Sequence, residues 1–220
     1  MITVAQALAA AQALGLDRLD AQWLLSHQLQ QGRAWLVAHD DHVLAADQAA
    51  AFQAHCLRRA DGEPLAYLTG ERGFHGLSLQ VTPAVLVPRP DTETLVDWAL
   101  QCAAATDAAP LRVLDMGTGS GAIALALAHA LQGRKPTVEI TATDFSDTAL
   151  AVAQGNAQRL GLPVHFVQGA WWHAVPAHER FDLVLSNPPY IRDDDPHLPA
   201  LRHEPLSALT AGPDGLADLR

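Results

Sequence analysis

Long apolar runs are missing from this 220-residue chain: no stretch approaches the ~20 uninterrupted apolar residues of a bilayer span. The opening residues MITVAQALAAAQALG have no basic n-region, so no secretory signal is expected and a cytoplasmic protein is. Cysteine is scarce. Cys56 and Cys102 lie far apart, each within a helical pattern, so reduced core thiols are expected and not a disulfide framework. Histidine is plentiful, with eleven residues, yet no cysteine or carboxylate cluster completes a metal site around His39/His42 or His173/His178. These histidines read as surface residues and no metal is expected. Basic charge is also short. Five basic residues face eight acidic ones in residues 1–75 and nine face sixteen in 76–220, giving a formal net charge of -10. Neither half offers the basic stripe that long nucleic-acid phosphates require, so DNA is not an expected partner.

What is present is enough apolar residue, 49%, to build real cores. Residues 1–60 are rich in Ala, Leu and Gln, and apolar side chains recur at helical spacing: Val4, Leu8, Ala11; Ala21, Leu24, Leu25; Ala49, Phe52, Cys56. Breaks at Gly15, Gly32 and Asp40–Asp41 divide this region into about four helices. From Pro64 the texture changes to glycines, prolines and alternating apolar residues such as Leu77, Leu79 and Val81, which predicts a β-hairpin linker. An amphipathic helix follows over 92–104, with Asp91 or Thr92 as its expected N-cap. The reading is a helical bundle over 1–72, a hairpin linker over 73–90 and a larger domain over 91–220.

In that larger domain strands and helices alternate: strand 111–116, helix 120–131, strand 137–144, helix 146–160, and strands 164–168 and 181–186. This is the pattern of an α/β, doubly wound and mostly parallel sheet, in which ligands sit at the carboxyl ends of the strands. The tail after residue 191 reads as loop, with a helix-like start in its last few residues.

Between the first strand and its helix lies DMGTGSG, Asp115 to Gly121. Gly117, Gly119 and Gly121 allow tight turning and close approach of a ligand to the helix N-terminus, with Thr118 and Ser120 between them. GTGSGA also satisfies the dinucleotide pattern, so the loop alone leaves a nicotinamide cofactor and S-adenosylmethionine both open. No Walker lysine is present, which excludes a phosphate-cradling P-loop. Asp144 ends the second strand, where its carboxylate can accept hydrogen bonds from ribose hydroxyls. Asp144 or Asp147 could instead cap the next helix, but Ser146 can serve there. Asp115, just before the glycines, is placed to receive the amino group of a methionine moiety directly or through water, and its charge would repel a pyrophosphate.

The last strand ends in SNPPY, Ser186 to Tyr190. Beside the first strand it would bring Asn187 to the same sheet edge as the glycine loop. Proline has no N–H and a fixed φ, so the carbonyls of Asn187 and Pro188 can project from a rigid turn. The Asn187 side-chain oxygen and the Pro188 carbonyl would each accept one N–H of a planar amide or amine, turning its lone pair toward a methyl donor. Tyr190 would stack on that planar group. Asn-Pro-Pro can equally be a simple turn after a strand. In company with DMGTGSG and an acidic strand end, it points to methyl transfer onto an amino nitrogen.

With these motifs in view, the chain resembles the release factor glutamine methyltransferases, the PrmC/HemK family. The resemblance runs through the helical N-terminal region, PRPDTE, DMGTGSGAIALALA, TDFSDTALAVAQGNA, SNPPYI and DPHLPALRHEPLSAL. It implies a Rossmann-like class I methyltransferase fold behind a small all-α domain that helps hold the release factor, with a hairpin between them. It also implies S-adenosylmethionine as cofactor and methylation of N5 of the glutamine in the Gly-Gly-Gln motif of class I peptide chain release factors. By the same resemblance, Asp115, Gly117 to Gly121, Asp144, Asn187 and an aromatic residue after the third strand bind cofactor. Trp171 is the better match for that aromatic, with Trp172 second, and Ala170 stands where the family commonly has an acid. Asn187, Pro188, Pro189 and Tyr190 bind glutamine, and Asn187, Pro188 and Tyr190 are the expected catalytic residues. Family members continue beyond GPDGLADL, so a catalytic domain lacking its C-terminal part is expected, with a monomer as the state in solution. The other readings are a nucleobase amino-methyltransferase, against which the acidity of both halves argues, and a binding protein without turnover. A dehydrogenase would leave NPPY without a task.

Overall fold

The structure is a computed structural model that describes residues 1–106, 110–134 and 137–220. Two units are distinguished, Met1–Gly70 and Glu71–Arg220. No helix among the described residues is long and apolar enough to cross a membrane.

The first unit is all helical: α1 (Val4–Ala13), α2 (Arg18–Leu29), α3 (Arg33–Ala38), α4 (Ala46–Ala60) and α5 (Leu65–Thr69). The helix starts follow from local chemistry. Thr3 and Gln6 form a reciprocal capping box at α1, and the Asp17 carboxylate accepts the Leu19 N–H at 2.7 Å at the start of α2. Leu24, Leu25, Leu36, Leu44, Phe52 and Cys56 form the buried core. Both cysteines are free, and burial pushes the Cys56 thiol up to about 11, which keeps it protonated and inert.

α5 lies where the texture change at Pro64 suggested the approach to a hairpin linker, inside the region read as the helical bundle. Pro64 supplies the N-cap, and Thr69 donates its hydroxyl back to the Leu65 carbonyl. Gly70, at φ +76, ends the turn, and Leu68 joins the helical core. Burial of Leu68 outweighs the weak helix preference of five residues.

The second unit opens with an antiparallel hairpin of β1 (Glu71–Phe74) and β2 (Leu77–Gln80), which starts two residues before the hairpin expected from the sequence. His75 and Gly76 both have positive φ, as the tight hairpin turn demands. Phe74, Leu77 and Leu79 are packed into this unit's core. Residues 81–90 carry no strand and lead into α6 (Asp91–Ala104). Neither Asp91 nor Thr92 caps that helix, contrary to expectation. Pro90 occupies the N-cap without a side-chain bond, and Asp91 and Glu93 place negative charge in the first turn instead.

Then come β3 (Leu111–Met116), α7 (Ala122–Ala130), β4 (Val138–Asp144), α8 (Asp147–Leu160), β5 (His165–Gln168) and β6 (Leu183–Ser186). All adjacent strands are parallel, in the order β5-β4-β3-β6. This is a Rossmann-like sheet, read correctly from the alternation of strands and helices. The near-continuous apolar runs of β3 and α7, with Leu111, Val113, Leu114, Leu125 and Leu127 at 1% exposure or less, are what a doubly covered parallel sheet needs. Strand order reverses between β4 and β6 on either side of β3, which opens a crevice at their carboxyl ends. The tail forms 3₁₀ turns at Leu198–Leu201, Leu206–Ala208 and Ala217–Leu219.

Candidate active site

That crevice is a cavity of about 420 Å³ within the second unit, a volume typical of small-molecule sites. It is lined by the glycine loop, the end of β4, residues 169–171, Asn187 and Pro189, parts of 83–92, and the tail at 205–208 and Asp218.

The loop after β3 alternates, with Gly117, Gly119 and Gly121 at φ +69, +56 and +85. Their reasons differ. A Cβ on Gly119 would meet nothing within 4 Å, so this residue leaves open space at the cavity wall. A Cβ on Gly121 would lie 2.8 Å from Leu125 Cδ1 and 3.3 Å from Ala153 Cβ, so this glycine, which does not line the cavity, lets the start of α7 sit close to Ala153 of α8. Gly117, Thr118, Gly119 and Ser120 do line it.

Asp144 is 7% exposed, and each of its carboxylate oxygens accepts one backbone N–H: Gly119 at 2.9 Å and Ser146 at 3.0 Å. It therefore ties the glycine loop to the start of α8. The capping task belongs to Ser146, whose hydroxyl accepts the Ala149 N–H. Asp144 lines the cavity with acceptor capacity left on both oxygens.

Asp115 is elsewhere. It is fully buried and outside the cavity lining; one oxygen accepts the Thr118 hydroxyl at 2.6 Å and the Ala124 N–H at 3.2 Å. Among the described residues its Oδ1 has no partner. Burial raises its carboxyl to about 6 against the help of those two bonds. Asp115 braces the loop through its bonds to Thr118 and Ala124.

The two tryptophans separate clearly. Trp171 lines the cavity while Trp172 is 60% exposed and does not. Trp171 holds φ +48, a strained conformation for a bulky residue, and its indole N–H donates to Asp218 Oδ1 at 3.0 Å. Ring atoms Cη2 and Cζ3 come within 4.0 Å of where a Gly117 Cβ would be. Ala170 also lies on this wall.

At the end of β6 the Ser186 hydroxyl donates to the Met116 carbonyl at 2.8 Å, pinning the SNPPY turn to the strand that leads into the glycine loop. Asn187 and Pro189 line the cavity; Pro188 and Tyr190 do not, and Tyr190 is 64% exposed. The Asn187 Oδ1 and the Pro188 carbonyl take no hydrogen bond among the described residues. The turn is held from its far side, where the Tyr190 and Ile191 N–H groups donate to the Leu209 carbonyl and Ala211 N–H to Ile191.

The sequence reading overlooked one wall. Val85, Leu86, Pro88, Arg89 and Thr92 line the cavity. Glu204, 7% exposed, holds this segment through the Val87 N–H at 3.0 Å and the Arg89 guanidinium at 2.5 Å. The run PRPDTE was noticed, but its contacts lie more than a hundred residues away. Among the described residues no group of three or more His, Cys, Asp or Glu side chains is arranged to hold a metal.

Residues 2–70 match the PrmC N-terminal domain and residues 99–203 the methyltransferase small domain. The chain is 52% identical over 207 residues to the release factor glutamine methyltransferase of Bordetella pertussis, covering 93% of this chain and 74% of the relative. It is 50% identical over 217 residues to that of Xylella fastidiosa strain Temecula1 and 45% over 217 to that of Escherichia coli K12; each covers 97% of this chain and 76% of the relative. Among solved structures, the hMettl16 catalytic domain in complex with MAT2A 3'UTR hairpin 6 superposes with a TM-score of 0.50 at 18% identity, over 79% of this chain and 60% of that one, which is a likeness of fold.

Proposed function

The chain belongs to the release factor glutamine methyltransferases, and from that premise we propose that it methylates N5 of the glutamine in the Gly-Gly-Gln motif of class I peptide chain release factors. It is an S-adenosylmethionine-dependent protein glutamine methyltransferase acting on release factors. The observation that supports the finer assignment is that Asn187, with a free amide oxygen, shares one cavity with the glycine loop and Asp144.

The residues present fit the cofactor. Open space beside Gly119 admits a ligand against the backbone, and the remaining lone pairs of Asp144 suit ribose hydroxyls. Trp171 offers a flat apolar wall for a purine. When bound, S-adenosylmethionine supplies a methyl group on a positively charged sulfonium.

The protein's own task is to make an amide nitrogen reactive. That lone pair is delocalised into the carbonyl, so orientation matters more than proton abstraction. The Asn187 Oδ1 and the Pro188 carbonyl accept the two amide N–H groups and aim the lone pair at the donor; both oxygens then stabilise the positive charge that develops on nitrogen. Tyr190, exposed before substrate arrives, covers the glutamine only once a release factor is docked. The helical unit contributes to holding that partner, with exposed apolar side chains such as Trp23 and Val37 available to meet it. We further propose a cytoplasmic monomer that does not act on DNA.

The test incubates the protein with labelled S-adenosylmethionine and a release factor, followed by peptide mass mapping. One methyl on the Gly-Gly-Gln glutamine is expected, and Asn187→Ala lowers the rate by about 10²-fold. Label appearing on another residue, or on nucleic acid in place of the release factor, overturns the assignment.

A further inference from the structure

We propose that Thr92 is a positioning residue for methyl transfer, whose hydroxyl holds the Asn187 carboxamide by its nitrogen so that the oxygen is left to the substrate. This rests on the reading of Asn187 as an acceptor for the glutamine N–H.

Asn187 Nδ2 donates to Thr92 Oγ1 at 3.4 Å, across 95 residues of sequence. A carboxamide is nearly symmetric in shape, and without a partner it populates both flips. In the wrong flip it would present N–H groups to N–H groups and turn an acceptor into a donor. The Thr92 hydroxyl holds the carboxamide in place, and in the arrangement observed it accepts from the nitrogen while the oxygen stays open to substrate. The bond is at the long end of the range, as contacts around a catalytic group often are before the site is filled.

Thr92 is unusually free for this task. It is the second residue of α6, where a hydroxyl would normally be drawn into capping, yet Pro90 is the N-cap and makes no side-chain bond. The backbone N–H of Thr92 is already satisfied by the Arg89 carbonyl at 3.1 Å. Its β-branch stiffens χ1, so the hydroxyl keeps its direction.

The segment carrying Thr92 is anchored by a residue more than a hundred positions away. The buried Glu204 carboxylate accepts the Val87 N–H and pairs with Arg89, three residues before Thr92. Charge-assisted bonds to a carboxylate with 3% side-chain exposure are stiff connections. Both Thr92 and Asn187 line the cavity.

The experiment measures single-turnover methyl transfer to a release factor and S-adenosylmethionine affinity by calorimetry, for Thr92→Val, Thr92→Ser, Asn187→Ala and the Val/Ala double variant. Thr92→Val is expected to slow transfer by about 10-fold with cofactor affinity within about twofold, and Thr92→Ser to recover most of that rate. On the Asn187→Ala background, Thr92→Val should add almost nothing, because the group it orients is gone. A Thr92→Val enzyme as fast as wild type, or one whose loss is repeated in full on the Asn187→Ala background, overturns the inference. Should Thr92→Val not fold, Thr92→Ala is read by the same criteria. Unchanged transfer by Asn187→Ala alone would mark failure of the underlying reading, separately from failure of the positioning role.

Discussion

Asn156 on α8 is fully buried and joins the hairpin to the glycine loop. Its Nδ2 donates to the carbonyls of Gln80 at 2.9 Å and Ser120 at 3.0 Å, and its Oδ1 accepts the Gln80 N–H at 2.7 Å and an Arg159 N–H at 3.2 Å. Replacing it with alanine strands three backbone groups. Two belong to the exposed Gln80 and rehydrate in part; the third, on Ser120 at 2% exposure, has no such recourse. Allowing ~0.5–1 kcal/mol for each of the first two and ~2 kcal/mol for the third, Asn156→Ala should cost about 3–4 kcal/mol. Urea unfolding followed by circular dichroism measures this directly. Because Ser120 lines the cavity, S-adenosylmethionine affinity in calorimetry should fall at least about tenfold in the same variant, a drop of ~1.4 kcal/mol. Asn156→Asp is a sharper probe, since it keeps the shape but turns a carboxylate oxygen toward two carbonyl oxygens. It should be no more stable than the alanine variant. A loss below about 1 kcal/mol in Asn156→Ala, with unchanged cofactor affinity, would refute this account of the loop's support.

Asp115 predicts a pH dependence. Burial raises its carboxyl from 3.8 to about 6, so between those values the folded state keeps a proton that the unfolded chain releases. Stability from this group is complete below pH ~4 and declines as pH rises toward ~6, by about 3 kcal/mol; Asp115→Asn should remove that decline from urea titrations run across the window, and an unaltered slope would contradict it. Gly121→Ala should destabilise by about 2–4 kcal/mol, because it combines φ +85 with a Cβ 2.8 Å from the buried Leu125 side chain. A thermal melt within a degree or two of wild type would show that the loop relaxes freely.

Much of the site was legible before folding because its signals are local. Glycine runs, strand-ending aspartates and X-Pro turns act through neighbouring backbone, and Ser146 does the capping that freed Asp144 for another task. Legibility failed where burial or distance decides. Asp115, expected to receive a methionine amino group directly or through water, is fully buried and bonded to Thr118, which no local pattern foretold. Tyr190 and Pro188 sit outside the cavity lining, since the tail at Leu209 holds the turn from the far side. Helix α5 escaped notice because its stability comes from Leu68 in the core and not from its own five residues.

The sequence by itself determined the strand and helix alternation, the parallel sheet, the glycine loop beside an acidic strand end, and the rigid SNPPY turn after the last strand, all of which follow from periodicity and backbone restriction within short windows. Only the tertiary structure decided which tryptophan lines the cavity, and that Asp115 is buried against Thr118 beneath the loop. It alone showed that Thr92 meets Asn187 at the cavity, and that Glu204, far along the chain, holds the segment just before Thr92. Those outcomes depend on which side chains a packed core brings within hydrogen-bond distance, and hydrogen bonds are too short-ranged for spacing along a chain to foretell them.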